Sequence, residues 1–197
     1  MADDQPVSLA GERRARGVSR VLIDRQDLAS RIGELAAEVD GWYPTGTPLL
    51  VGVLTGAITF MADLMRAMRI PVEVDFMAVS SYGASTQSSG VVRILKDLNQ
   101  EIEDRDVLVV EDIVDSGLTL SYLLDVLERR SPRSVRVVAL LKKDKPDAVA
   151  VQVDLVGFPI PDEFVVGYGL DYAGHYRNLP DVAVLDPSVL AADESES

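Results

Sequence analysis

Runs of apolar residues separated by polar turns divide most of the chain into alternating strands and helices. Two runs are continuous, at residues 49–54 and 107–110, and a third, at residues 135–141, is interrupted by Arg136. Such runs are typical of buried strands in parallel sheets, because both faces of those sheets are covered. Apolar residues recur at helical spacing after Asp24, after Thr55 and after Thr119, which predicts a helix in each place. The alternation predicts an α/β fold with a central, mostly parallel sheet flanked by helices.

Shorter apolar segments predict further strands at residues 21–23, 72–79, 91–95, 153–158, 164–169 and 183–185. Between two of them, residues 80–90 are rich in serine and glycine, and a polar loop of that length is usually functional or mobile. The ends of the chain lack periodicity. We therefore expect a flexible arm at residues 1–18, one domain at 19–188 and a flexible acidic tail at 189–197.

A short polar loop, Asp115 to Thr119, joins the strand that begins at residue 107 to the helix that follows. In open α/β sheets, ligands bind where a strand ends and a helix begins. Gly117 permits close approach to the backbone, and the hydroxyls of Ser116 and Thr119 stand beside the free N–H groups of the helix start. These features predict a phosphate cradle, although an ordinary turn capped by Asp115 or Ser116 explains the loop equally well.

Two acidic residues, Glu111 and Asp112, come directly before this loop. Carboxylates beside a phosphate repel it unless they bind something else. Sugar hydroxyls, bound directly or through Mg²⁺, are suitable partners. The strand, the acidic pair and the loop together predict a ligand that carries a ribose next to a phosphate.

Composition narrows the class of protein further. The chain has 197 residues, which suits one α/β domain, and its net charge of −13 argues against nucleic acid as a partner. It contains no cysteine, so we expect neither disulfides nor a thiolate metal site. The first twenty residues are polar, and no apolar run is long enough to span a membrane. We expect a cytoplasmic protein without a membrane partner.

The run VLVVEDIVDSGLT at residues 107–119 resembles the signature of phosphoribosyltransferases that use phosphoribosyl pyrophosphate. This run is most similar to that of the hypoxanthine-guanine branch of the family, and so is the run at residues 157–172. The resemblance covers nearly the whole chain beyond residue 20. It implies a type I phosphoribosyltransferase fold with a small base-binding hood. It also implies transfer of phosphoribose to hypoxanthine or guanine, with Mg²⁺ as cofactor, by a homodimer or homotetramer.

The resemblance implies roles for the residues around the central loop. Asp115 would face N7 of the purine as general base or hydrogen-bond partner, with a helix N-cap as the alternative or an additional role. Glu111 and Asp112 would hold the ribose hydroxyls and Mg²⁺. The 5′-phosphate would lie on Ser116, Gly117, Leu118 and Thr119. Relatives often have a lysine where this chain has Leu118, so part of the usual charge is absent.

A second loop, formed by Leu54, Thr55 and Gly56, resembles the family's pyrophosphate-binding loop. The resemblance implies a non-proline cis peptide between Leu54 and Thr55. Many relatives carry a lysine at the position of Thr55, whereas Arg177 would clamp pyrophosphate and supply charge. Ser81 and Tyr82 match the start of a flexible loop that closes over the active site in this family.

The purine-binding residues are implied in the same way. Lys143 aligns without gaps with the lysine that reads the exocyclic oxygen of the purine, although Lys142 and Lys145 lie beside it. Phe164 would stack on the base, unless it is an ordinary core aromatic. The backbone of Val165 and Asp171 would read the edge of the base, and Asp171 would also bind a second Mg²⁺ near pyrophosphate.

Three alternatives remain open at the level of sequence. The chain can be a regulator that senses phosphoribosyl pyrophosphate without turnover, or a protein whose loop binds another phosphate. It can also be a phosphoribosyltransferase that prefers xanthine, since main-chain contacts decide between purines that differ at C2. A regulator of this kind usually binds nucleic acid, which the acidic charge disfavours.

Overall fold

The computed structural model describes residues 17–81 and 92–195 of the chain. These residues form two compact units, one of residues 26–162 and one of the described parts of residues 1–25 and 163–197. In chain order the elements are β1 (Val18–Ile23), α1 (Arg25–Trp42), β2 (Leu49–Leu54), α2 (Ile58–Ala67), β3 (Glu73–Ser81), β4 (Val92–Lys96), β5 (Asp106–Val114), α3 (Leu118–Glu128), β6 (Ser134–Lys143), β7 (Leu155–Ile160), β8 (Val165–Val166), β9 (Val182–Leu185) and α4 (Pro187–Ser195).

The larger unit is built on a six-stranded sheet in the order β4-β3-β2-β5-β6-β7. Neighbouring strands are parallel except for the antiparallel pair of β3 and β4. The three apolar runs form parts of β2, β5 and β6, and α2 packs against β2 and β5. The predicted central, mostly parallel sheet is confirmed.

The chain leaves the centre of this sheet in two directions. Strand β2 leads to β3 and β4 on one side, whereas β5 leads to β6 and β7 on the other. The carboxyl ends of β2 and β5 therefore lie side by side at the point where the strand order reverses. Crevices at such points are the usual ligand sites of open α/β sheets.

The helices bury most of the predicted apolar positions. Helix α1 buries Leu28, Ile32, Leu35, Ala36 and Val39. Helix α2 buries Phe60, Met61 and Leu64. Its predicted face also included Ile58 and Met65, which are exposed. These two residues are seven positions apart and lie on one side of the helix, whereas the buried residues lie on another.

Strand β3 contains a buried carboxylate, Asp75, that the sequence patterns did not single out. It accepts hydrogen bonds from the backbone N–H of Phe76 at 2.8 Å and of Asn99 at 2.7 Å. The side chains of Asn99, at 2.9 Å, and Lys96, at 3.4 Å, also donate to it. Burial raises the pKa of Asp75, but these hydrogen bonds and the Lys96 ammonium outweigh burial and lower it overall.

Replacing Asp75 with asparagine is expected to lower the free energy of unfolding by about 1–3 kcal/mol at pH 7, because charge-assisted hydrogen bonds are lost. Since the folded pKa is depressed, this stabilisation is present above the unfolded pKa of about 3.9 and is lost as the pH falls through the folded value. Urea unfolding of both proteins between pH 7 and pH 3 measures the difference. A difference that is constant over this range would contradict the assignment.

The smaller unit contains a three-stranded antiparallel sheet in the order β1-β9-β8. Its core consists of Val18, Val166, Leu179, Ala183 and Leu185. The predicted strand at residues 164–169 is shorter than expected, since β8 contains only residues 165 and 166. The next three residues, Gly167, Tyr168 and Gly169, have φ angles of 94°, 50° and 101°, which end an extended strand.

The chain ends also differ from the prediction. Residues 1–16 of the predicted arm lie outside the described residues, and Val18 already belongs to β1. Residues 189–195 of the predicted flexible tail belong to helix α4. Asp186 begins this helix by accepting hydrogen bonds from the N–H and the hydroxyl of Ser188, at 2.9 and 2.7 Å, with Pro187 between them. Among the described residues, no helix has the length and apolar character needed to cross a membrane.

Candidate active site

The loop after β5 has the geometry of a helix start. Gly117 is the N-cap of α3 with a φ angle of 77°, a left-handed conformation that favours glycine. Its carbonyl accepts the first helical hydrogen bond, from Ser121 N–H at 2.9 Å. The N–H groups of the next residues point out of the helix start, where an anion can accept them. The alternative that Asp115 caps this helix is wrong, because Gly117 holds the cap position without a side-chain hydrogen bond. Ser116, the other predicted cap, accepts the N–H of Leu118 through its hydroxyl at 3.5 Å.

The loop after β2 lies next to the acidic pair. The peptide bond between Leu54 and Thr55 is cis, as the resemblance implied. Gly56 packs so closely on the carboxylate of Asp112 that a Cβ atom at position 56 would collide with it. The loop at residues 54–56 and the carboxylate of Asp112 therefore form one continuous surface at the carboxyl ends of β2 and β5.

The two acidic residues differ in environment. Adjacent residues of a strand project to opposite faces, and Glu111 is only 6% exposed whereas Asp112 is partly exposed. Burial raises the pKa of Glu111 well above its ordinary value, and the neighbouring charge of Asp112 raises it further. One oxygen of Asp112 accepts the N–H of Ile113 at 2.9 Å. A cation or a hydroxyl donor beside these carboxylates would favour the ionised form of Glu111.

Lys143, the lysine that the resemblance selects, is the last residue of β6, and its side chain is turned toward Asp115. Lys143 is 9% exposed, whereas Lys142 is exposed, as strand alternation requires. The ammonium of Lys143 donates to Asp115 Oδ2 at 3.1 Å and lies 3.3 Å from Asp162 Oδ1. The structure thus brings together two predicted residues, Asp115 and Lys143, that are 28 positions apart in sequence.

Two further residues of this group were not predicted as site residues. Lys145 contacts the second oxygen of Asp115 and lies 3.1 Å from Asp162 Oδ1. Asp162 accepts from both lysines, and its pKa is lowered mainly by the hydrogen bond from Lys145. The sequence offered one signal, because Lys145 is two positions from Lys143. Nothing in the pattern indicated Asp162, which the fold supplies from beyond the neighbouring strand β7.

The segment that carries Lys145 also contacts the phosphate loop through its backbone. Val149 N–H donates to the carbonyl of Ser116 at 2.9 Å. A Cβ atom at position 117 would lie 2.7 Å from the carbonyl oxygen of Val149. The glycine at 117 is therefore required both by its φ angle and by this close approach.

In the smaller unit, Phe164 is 40% exposed. Its ring meets that of Tyr172 edge-to-face, with centroids 5.4 Å apart. Phe164 is therefore not a buried core aromatic, which was the alternative to a stacking role. Val165, the next residue, is buried and pairs with Val184 of β9.

Asp171 and Arg177 bind each other within the same unit. Arg177 lies 2.7 Å from Asp171 Oδ1 and donates to the carbonyl of Gly169 at 2.7 Å. The other oxygen of Asp171 accepts the N–H of Gly174 at 2.9 Å. This turn is rich in left-handed residues, which include Tyr168, Ala173 and Tyr176. Of the predicted flexible loop, Ser81 ends β3 and Tyr82 lies outside the described residues.

Whether this site can hold Mg²⁺ depends on the number and position of its carboxylates. Within residues 17–81 and 92–195, no three His, Cys, Asp or Glu side chains cluster in a way that could hold a metal. Mg²⁺ usually takes only one or two protein carboxylates and completes its shell with substrate phosphates and water. Asp112, partly exposed beside the loop at residues 54–56, suits such a site. The carboxylate of Asp171 is already bound by Arg177 and Gly174.

Comparison with known proteins agrees with this geometry. A model of the phosphoribosyl transferase domain matches residues 22–173. The hypoxanthine-guanine phosphoribosyltransferase of Bacillus subtilis is 50% identical over 172 residues, which cover 87% of this chain and 96% of that protein. A crystal structure of a hypoxanthine phosphoribosyltransferase from Staphylococcus aureus has a TM-score of 0.86 and 39% identity, covering 94% of this chain and 98% of that one.

Another relative is much longer than this chain. The bifunctional protein TilS/HprT of Listeria innocua is 52% identical over 172 residues. These residues cover 87% of this chain but only 26% of that protein, so the chain spans about a quarter of the length of the bifunctional relative.

Proposed function

The chain belongs to the phosphoribosyltransferase family, in its hypoxanthine-guanine branch, and we propose that it transfers phosphoribose from phosphoribosyl pyrophosphate to hypoxanthine and guanine. In this reaction a bond forms between N9 of the purine and C1′ of the ribose. The bond from C1′ to the pyrophosphate oxygen breaks, and pyrophosphate leaves with the electron pair. The products are pyrophosphate and IMP or GMP, so the reaction salvages free purine bases as nucleotides.

One observation carries the proposal: the loop after β2 packs, through Gly56, on the carboxylate of Asp112 near the end of β5, at the centre of the sheet. A sugar held by this carboxylate has a phosphate-binding helix start on one side and a second loop on the other. This order matches phosphoribosyl pyrophosphate, whose ribose separates a 5′-phosphate from a pyrophosphate. We assign the 5′-phosphate to Ser116, Gly117, Leu118 and Thr119, and pyrophosphate to Leu54, Thr55 and Gly56.

The acidic pair completes the sugar site in this proposal. Glu111 and Asp112 hold the ribose hydroxyls, and Asp112 also binds Mg²⁺ together with oxygens of the substrate. When bound, Mg²⁺ would offset charge that develops on the departing pyrophosphate. This contribution matters because Thr55 and Leu118 stand where relatives often have lysines.

The base-binding roles rest on the resemblance and on the local contacts of each residue. Asp115 takes or stabilises the N7 proton of the base, and Lys143 donates to its 6-oxo group. The exposed ring of Phe164 provides a stacking surface. We assign recognition of the base edge to the backbone of Val165 and Asp171. A second Mg²⁺ on Asp171 and a pyrophosphate contact of Arg177 would require that the ion pair between these two side chains opens when the substrate binds.

We also propose that the enzyme acts in the cytoplasm as a homodimer or homotetramer. The support for assembly is the exposed apolar pair on α2, Ile58 and Met65, of which Ile58 is 46% exposed. Exposed apolar residues on one side of a helix are typical of subunit interfaces. Arg66, on the same helix, would lie at the polar rim of such a surface.

The direct test is turnover with separate purines. The protein is incubated with phosphoribosyl pyrophosphate, Mg²⁺ and either hypoxanthine, guanine, xanthine or adenine, and nucleotide products are separated by chromatography. We expect IMP and GMP, little AMP, and loss of product when EDTA removes Mg²⁺. Product with xanthine alone would indicate the xanthine-preferring alternative. Tight binding of phosphoribosyl pyrophosphate without any product would indicate a sensor.

A further inference from the structure

Four charged side chains form a compact cluster at the carboxyl ends of β5, β6 and β7, namely Lys143, Lys145, Asp115 and Asp162. The proposed reaction uses Asp115 and Lys143, which face N7 and the 6-oxo group of the base. Lys145 has no role in that assignment, although it contacts the same two carboxylates as Lys143. It is 28% exposed, so its ammonium is partly shielded from water.

We propose that Lys145 is a positioning residue for purine binding, which holds the Asp115 carboxylate in the orientation that the base requires. This inference rests on the proposed function. It extends that function to a residue that the resemblance does not assign.

The first support is the environment of the Asp115 carboxylate. Its Oδ2 atom accepts from Lys143, so only Oδ1 faces Lys145. This Oδ1 atom is shielded from solvent and makes no well-aligned hydrogen bond among the described residues. The Lys145 ammonium therefore supplies its compensating charge. Without Lys145, a shielded carboxylate oxygen would lack a partner, and Asp115 would rotate toward water or toward Lys143.

The second support is the chemistry of the base. N7 and the 6-oxo group lie next to each other on the same edge of guanine or hypoxanthine. Asp115 and Lys143, 3.1 Å apart, present an acceptor and a donor side by side, and so match this edge when N7 of the free base carries a proton. The base is recognised only if Asp115 and Lys143 point toward it and do not turn fully toward each other. Lys145 opposes that movement because it attracts the other oxygen of Asp115.

The third support is the segment that carries Lys145. It is fixed to the phosphate loop by the hydrogen bond from Val149 N–H to Ser116 O, and it turns through a bond from Ala148 N–H to Lys145 O at 3.3 Å. Asp115 and Ser116 are thus contacted from one segment, by a side chain and by the backbone. The Asp115 carboxylate raises the pKa of Lys145, so its ammonium remains charged at neutral pH.

Kinetics of Lys145→Gln tests the role, with Lys142→Gln as the matched control. Lys142 is exposed and adjacent in sequence, so its replacement changes the net charge equally. For Lys145→Gln we expect kcat/KM for hypoxanthine to fall by about tenfold, because small displacements of a positioned group weaken binding and catalysis. The KM for phosphoribosyl pyrophosphate should stay within about twofold of wild type, and Lys145→Arg should recover most of the loss.

Each result separates this role from simpler explanations. Equal behaviour of Lys145→Gln and Lys142→Gln would overturn the positioning role, as would an equal loss for both substrates. If the wild-type protein makes no nucleotide, the proposed function fails, and calorimetry with hypoxanthine, the free base that can carry a proton on N7, then decides the role of Lys145. Binding of hypoxanthine that is about tenfold weaker in Lys145→Gln supports the role, whereas unchanged or absent hypoxanthine binding overturns it.

Discussion

Replacing Asp115 with asparagine is expected to lower kcat at least about tenfold, and general acid–base contributions of this kind reach ~10²–10⁴-fold. The change keeps the shape of the side chain but removes the anion that faces N7. Binding of phosphoribosyl pyrophosphate should change little, because Asp115 is assigned to the base and not to a phosphate. The melting temperature should stay near wild type, since the Asp115 side chain is 46% exposed and Asp162 still pairs with both lysines.

The structure excludes one alternative explanation for a loss of activity, namely a weakened helix cap. Gly117, and not Asp115, is the N-cap of α3, so a loss of activity cannot come from a weakened cap. Asp147→Asn is the matched control, since Asp147 is exposed on the segment that follows Lys145 and loses the same charge. A wild-type kcat for Asp115→Asn, with chemistry shown to be rate-limiting by single-turnover kinetics, would refute the catalytic role.

The sheet could be predicted because its central strands are continuous apolar runs. Residues 49–53 and 107–110 are buried on both faces, as is typical of a parallel sheet that is covered on both sides. The same rule failed at residues 164–169. That run is also apolar, but the left-handed residues Gly167, Tyr168 and Gly169 turn the chain after two residues of strand. An apolar pattern reports burial, whereas the φ angle of each residue is decided by the fold.

The start of helix α4 is visible in the sequence, but the acidic residues that follow it favoured a flexible tail. Asp186 followed by Pro187 is a typical helix start, and Val189 and Leu190 pack against the core of the smaller unit. The acidic residues from Asp193 onward suggested a solvated tail instead. The capping pair Asp186 and Pro187 therefore indicated the structure of residues 187–195 better than the acidic charge of that segment did.

The site was predictable only as far as its motifs are local. The loop at residues 115–119 and the cis peptide at Leu54 could be identified because resemblance is carried by consecutive residues. The contacts of Lys145 with Asp115 and Asp162 join three different segments of the chain. Such contacts depend on strand order and register, which no short motif encodes.

Gly56 joins the loop after β2 to strand β5, which leads into the second loop on which the proposed function depends. It follows the cis peptide at the end of β2 and packs on the carboxylate of Asp112 from β5. A methyl group at this position would occupy the volume of that carboxylate. Asp112 would have to rotate away from the place where the ribose and Mg²⁺ are assigned. Substitution here should therefore impair substrate binding more than folding.

Replacing Gly56 with alanine is expected to weaken binding of phosphoribosyl pyrophosphate with Mg²⁺ at least about tenfold, because it displaces Asp112. Gly33→Ala is the matched control, since a Cβ atom there meets nothing within 4 Å. Within helix α1, that change should leave binding unaltered and raise stability by up to about 1 kcal/mol. Calorimetric titration measures both affinities, and circular dichroism checks the fold. If a folded Gly56→Ala protein binds phosphoribosyl pyrophosphate with wild-type affinity, the proposed role of Asp112 in substrate binding is wrong.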